Sequence, residues 1–149
     1  MLLDRFEGDD FAIPEARLER SYDQLSAEVR GVIQQSAKRI RDFHERQPVT
    51  SWLSEEMGGQ LGQRFTAVER VGVYVPGGTA PLPSSLLMSV IPAQVAGVKR
   101  ILVATPPNPH PSILAAAYVC GITEIFQIGG AQAIAALAFG TGSIPKVDK

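Results

Sequence analysis

RVGVYVPGGTAPLPSSLLMSVIPAQVAGVKRILVAT, residues 70–105, is the stretch that decides the fold. Val71, Val73 and Val75 recur at the two-residue period of a strand. Pro83 to Ala96 reads as a helix with proline in its first turn, and Arg100 to Ala104 as a second apolar strand. The pattern then repeats. Pro111 to Cys120 suggests a helix, Glu124 to Ile128 a strand, and Ala131 to Phe139 an Ala-rich helix that ends before Gly140 and Gly142. Apolar strands alternating with helices imply right-handed βαβ crossovers and a parallel sheet, which must be covered on both faces. Three strands with three helices make half of a doubly wound domain, and the closing residues PKVDK read as the start of another strand.

Upstream of Arg70 the texture differs. From Ser26 to about Gln47, Val29, Val32, Ile33, Ala37, Ile40 and Phe43 build one helical stripe; Ser26 is placed to cap the helix, Glu28 suits its first turn, and Pro48 ends it. Ile13 to about Leu25 reads as a shorter helix, because Pro14 is tolerated at a helix start and Leu18, Tyr22 and Leu25 share a face. Residues 49 to 70 read as two short strands interrupted by Gly58, Gly59 and Gly62, one holding Trp52 and Leu53 and the other Phe65 to Val68. The expected class is therefore α/β: an N-terminal helical segment with short strands (residues 1–69, a partial domain), followed by an incomplete Rossmann-like βαβαβα parallel sheet (residues 70–149).

Composition narrows the function. With 14 Lys and Arg against 15 Asp and Glu, the net charge is -1. Lys38, Arg39 and Arg41 form the densest basic run and suit the solvated face of a helix, so a nucleic-acid partner is not expected. Cys120 is the one cysteine; it lies among apolar residues, excludes an internal disulfide and fits a buried, inert thiol in a reducing compartment. The N-terminal MLLDRFEGDD carries acid where a secretory signal needs base, and no apolar run reaches the roughly 18 residues of a membrane span. A soluble, cytoplasmic protein without a membrane partner is expected.

Ligands of open α/β sheets bind beyond the carboxyl ends of the strands, and two glycine-rich turns fall there. In the first, Gly77 and Gly78 permit close backbone approach; in the second, Gly129 and Gly130 precede a helix whose free N–H groups favour phosphate, which makes a nucleotide the natural candidate. Neither turn is a G-x-G-x-x-G fingerprint, and a Gly-Gly pair also serves as a plain tight connection. Tyr74 ends the first strand, where stacking or hydrogen bonding at the loop competes with core packing. Gln132 lies in the first turn of its helix, where its amide can meet a ligand or bond local backbone. His44 suits a surface pairing with Glu45, and His110 a loop position before Pro111. Ser84, Ser85 and Cys120 have no base placed by sequence, and no metal-ligand spacing occurs. No catalytic residue and no metal ligand is assigned to this chain.

GVYVPGGTAPLPSSLLM (72–88) and IGGAQAIAALAFGTGSIPKVDK (128–149), with the helix and strand between them, closely resemble the corresponding stretch of histidinol dehydrogenases; RFEG (5–8) and DFHERQ (42–47) agree more loosely. The resemblance implies a homodimeric zinc enzyme that oxidises L-histidinol to L-histidine through the aldehyde in two NAD-dependent steps, as part of histidine biosynthesis. In such enzymes the metal positions the substrate and a glutamate–histidine pair handles protons and water. Tyr74 and Gln132 match the tyrosine and glutamine of the family's NAD site. The family's cofactor asparagine in Gly-Pro-Gly-Asn, its zinc ligands and its proton-handling pair find no match here. The chain is thus expected to be an N-terminal portion, inactive alone and prone to self-association through an unpaired sheet edge and exposed apolar helix faces. A related zinc- and NAD-dependent dehydrogenase of polyols or sulfonated alcohols, or a non-catalytic nucleotide-binding or dimerisation module, are the alternatives.

Overall fold

The computed structural model describes residues 11–56, 58–77 and 80–149. The RFEG stretch and Gly78 lie outside these described residues. In chain order the elements are α1 (Glu15–Asp23), α2 (Ala27–His44), β1 (Trp52–Ser54), β2 (Leu61–Gln63), β3 (Arg70–Tyr74), α3 (Pro83–Val95), β4 (Arg100–Thr105), α4 (Pro111–Val119), β5 (Glu124–Gln127) and α5 (Gly130–Phe139). The last three strands form a parallel sheet in the order β3-β4-β5, with Val73 opposite Val103 and Val103 opposite Ile125.

Side-chain alternation divides that sheet into two faces. Val73, Val75, Ile101, Val103 and Ile125 join the core formed with α3 and α4, whereas Leu102, Ala104 and Phe126 pack with Ala133, Ala136 and Leu137 of α5. Ala115, Ala116 and Ala117 are fully buried, where α4 packs against α1, α2 and α3. Leu18 and Ile33 extend the same core into α1 and α2. Burying a side chain such as Leu18 contributes about 1.5–3 kcal/mol.

Both edges of the parallel sheet are covered. Ile13 N–H donates to Ile125 C=O, and Gln127 N–H to Phe11 C=O, so residues 11–13 run beside β5. On the other edge Asp148 N–H donates to Arg70 C=O and Gly72 N–H to Lys149 C=O, both with strand-like spacing. The closing residues therefore lie along β3, where the sequence suggests another strand, and the expected unpaired edge is absent among the described residues.

Two other expectations change. The partner of β1 is Leu61–Gln63 rather than Phe65–Val68. Gly62 sits inside that strand because a side chain there would collide with the Trp52 carbonyl and Leu53. The α2 stripe is buried only in part: Ile33, Ala37 and Ile40 pack inward, while Val29, Val32 and Phe43 are exposed. The Ser26 cap forms as expected, with Oγ accepting from Val29 N–H at 3.3 Å.

Candidate functional site

β3 has β4 on one side and the returning residues 147–149 on the other. The helices change face at the same place, since α3 and α4 cover one side of the sheet and α5 the other. A point where strand order reverses opens a crevice at the carboxyl ends of the strands, and Tyr74 is the residue that ends β3 there. Its ring is half-buried against the α5 side. The phenol oxygen accepts from Gly130 N–H at 3.2 Å, which joins the end of β3 to the second glycine-rich turn.

Gly130 opens α5 with a left-handed φ of 67°, a conformation that costs a side-chain-bearing residue about 1–2 kcal/mol. Gly129 before it is extended and has no side chain with which to cap the helix, so the Tyr74 phenol takes the first N–H of α5. The Gln132 side chain turns back over Gly130, so that a Cβ built there would lie 2.8 Å from its Oε1. Tyr74, Gly130 and Gln132 are therefore brought into one cluster. Gly77 is not part of it: the space a Cβ would take at Gly77 is filled by Pro106, 2.9 Å away.

Beyond Gly77 lies a cleft of about 410 Å³ lined by Pro76, Gly77, Ala80 and Pro81 on one side and by Pro106 to Pro111 on the other. Thr105, the last residue of β4, lines it and is 1% exposed, and its Oγ1 has no hydrogen-bond partner. His110 is not merely a loop residue: its Nδ1 accepts from Ser112 N–H at 3.2 Å and caps α4. The sequence reading gave His110 a loop position before Pro111 and did not single out Thr105. A capping signal was present in His-Pro-Ser ahead of an apolar run, whereas a threonine that ends a strand carries no mark of lacking a partner.

The remaining candidates have structural partners. His44 bonds Gln47 Oε1 at 2.7 Å rather than Glu45. Lys38 pairs with Asp42 at 2.6 Å on the exposed face of α2. Arg41 instead reaches inward to Gln94 Oε1, and Gln94 Nε2 donates to Cys120 C=O, so this basic residue links α2, α3 and the end of α4. Burial pushes the Cys120 thiol up to about 11, as expected of an inert thiol. Ser84 and Ser85 occupy the first turn of α3. Among the described residues no group of three or more His, Cys, Asp or Glu could hold a metal ion, and no helix is long and apolar enough to cross a membrane.

These features define an α/β fold whose three-stranded parallel sheet carries helices on both faces, with Tyr74 at the end of β3 bonded to the glycine-rich start of α5. The histidinol dehydrogenase family profile matches residues 2–149. A histidinol dehydrogenase of Geobacillus kaustophilus is 51% identical over 98% of the chain, which covers 36% of that relative. One of Natronomonas pharaonis is 53% identical over 88% of the chain and 32% of its own length. The crystal structure of histidinol dehydrogenase from Elizabethkingia anophelis superposes with a TM-score of 0.91 at 37% identity, over 98% of this chain and 35% of that one. The chain belongs to the histidinol dehydrogenase family, and spans about a third of the length of the curated relatives it matches.

Proposed function

We propose that this chain supplies cofactor-binding elements of an NAD-dependent oxidation of L-histidinol to L-histidine through the aldehyde, within a cytoplasmic homodimer. In this reading residues 1–69 belong to an N-terminal domain and residues 70–149 form the first half of the Rossmann-like NAD-binding domain. The observation that carries it is the hydrogen bond from Gly130 N–H to the Tyr74 phenol, which ties the carboxyl end of β3 to the glycine-rich start of α5.

When bound, NAD would supply a hydride acceptor, one molecule for the alcohol and a second for the hydrated aldehyde. The residues present fit such a group. Tyr74 accepts from Gly130 and retains its phenolic proton to donate toward a ligand. Gln132 offers both a donor and an acceptor at the start of α5, where backbone N–H groups favour phosphate. Gly129 and Gly130 are assigned close backbone approach in the second turn, and Gly77 and Gly78 the corresponding role in the first turn. Zinc is the family's expected metal; the described residues offer no cluster to hold it, and no step is assigned to it here. The buried Cys120 thiol suits a reducing compartment, and the exposed Trp52, Leu53 and Phe65 offer apolar surface to a second subunit.

Calorimetric titration with NAD tests this reading. Tyr74→Ala and Gln132→Ala are each expected to weaken NAD binding about tenfold, as loss of ligand hydrogen bonds and of the Gly130 anchor predicts. Unchanged affinity in both variants would remove the cofactor assignment.

A further inference from the structure

The C-terminal ends of α2 and α3 converge on a cleft of about 400 Å³, with residues 65–67 beside them. α3 starts beyond the carboxyl end of β3 and finishes just before β4 begins. Because β4 runs parallel to β3, the chain has by then returned to the amino edge of the sheet. The cleft therefore lies at the opposite edge from Tyr74 and Gly130, and shares no residue with that cluster.

We infer that this cleft binds a small organic cation, a primary ammonium or guanidinium group carried on an aromatic or aliphatic body. The site stands apart from the NAD reading and uses none of its residues.

Charge is the first argument. Glu45 brings a carboxylate to the cleft, and no Lys or Arg lines it. His44 and Glu45 close α2 on one side, Val95 and Ala96 close α3 on the other, and the partial negative charge of a helix C-terminus favours a cation. The last turn of α3 holds no basic residue, and Arg41 in the last turn of α2 is engaged by Gln94 Oε1.

Hydrogen bonding gives the second argument. His44 Nδ1 lies 2.7 Å from Gln47 Oε1. An amide oxygen only accepts, so Nδ1 carries the proton and Nε2 is left as an acceptor. The Phe43 ring stands perpendicular to the imidazole, with centroids 5.3 Å apart, so the ring is held from a second side. An acceptor nitrogen beside a carboxylate suits a group that carries only donors, as ammonium and guanidinium do. Size is the third argument. About 400 Å³ falls within the range of small-molecule sites and exceeds what a bare ion fills, while Phe65 offers an exposed ring to the cation.

The test is an NMR titration of the 149-residue chain with phenethylamine, read beside 2-phenylethanol, which keeps the ring and exchanges the ammonium for a hydroxyl. Phenethylamine is expected to shift the amide signals of residues 44–49, 65–67 and 95–96 saturably, and phenylethanol to bind about tenfold more weakly, as loss of hydrogen bonds from a charged group predicts. Glu45→Gln should weaken phenethylamine about threefold, the effect of an exposed ion pair, and leave phenylethanol unchanged. Phe65→Leu should weaken phenethylamine about threefold through loss of the aromatic face. Both side chains are exposed, so neither variant is expected to lower the melting temperature. Tyr74→Ala should leave phenethylamine binding unchanged, and Glu45→Gln should leave NAD binding unchanged, which keeps this site and the NAD reading separately testable. Equal affinities for the amine and the alcohol, or wild-type amine affinity in Glu45→Gln, overturns the cation assignment. Shifts confined to other parts of the chain, or no saturable shift, overturns the site.

Discussion

Thr105 places a hydroxyl where the fold gives it nothing to bond. An unpaired buried hydroxyl is desolvated without compensation, at a cost of about 1–3 kcal/mol. Replacing it with the near-isosteric Thr105→Val is therefore expected to stabilise the free chain by about 1 kcal/mol, read as a higher urea midpoint at unchanged slope. A lower midpoint would mean that the hydroxyl already has a partner and that its cleft is simply packed structure. Such a residue is hard to find by reading the chain, because threonine is an ordinary strand residue and the absence of a partner exists only in three dimensions. Tyr74 and Gln132 were legible for the opposite reason. One ends a period-two run and the other begins a helix after Gly-Gly, and both positions follow from local pattern. Their meeting at Gly130 was not legible, since Tyr74 and Gly130 are 56 residues apart in sequence.

At the scale of elements, the best-read parts are those where periodicity and punctuation agree. β3, α3, β4, α4, β5 and α5 fall within a residue or two of the ranges expected from alternating valines, helix-starting prolines and closing glycines. The hairpin of β1 and β2 was misread because Gly62, apparently an interruption, is required inside the strand by its close approach to Trp52 and Leu53. The α2 stripe was over-read because periodicity marks an apolar face without saying how much of it is covered. One inter-strand tie has a pH signature. Arg100 and Glu124, the first residues of β4 and β5, make two hydrogen bonds of 2.7 and 2.6 Å. The hydrogen bond from Arg100 holds the Glu124 carboxyl below its ordinary value, against the opposing effect of burial. A carboxylate with a depressed folded-state pKa contributes stability that is present above its unfolded pKa and is lost as pH falls through the folded one. Glu124→Gln is thus expected to lower the melting temperature modestly at neutral pH, since the pair is partly solvated. The difference from wild type should close as pH drops below the carboxylate range. A difference that persisted unchanged into acid would assign the effect to packing.

For the molecule as a whole, the covered edges change the basis on which self-association is expected. Residues 11–13 beside β5 and residues 147–149 beside β3 occupy the backbone groups that an exposed strand would offer to another copy, so edge-to-edge growth is blocked on both sides of the parallel sheet. Apolar side chains remain exposed elsewhere: Phe43 on α2, Trp52, Leu53 and Leu61 on the hairpin, and Phe139, 82% exposed, at the end of α5. Surfaces of this kind associate through side chains, without backbone register, and the resulting contacts are reversible and dependent on concentration. Light scattering is expected to show an average mass that rises with concentration and falls on dilution. Leu53→Lys combined with Phe139→Lys should shift it toward the monomer without lowering the melting temperature, because neither side chain belongs to the buried core. A mass that stays at one chain throughout would show that these exposed residues are too scattered to form a contact. A mass that rises equally in the charged double variant would instead assign association to α2 or to the remaining hairpin residues, and would make Trp52 and Phe43 the next positions to charge.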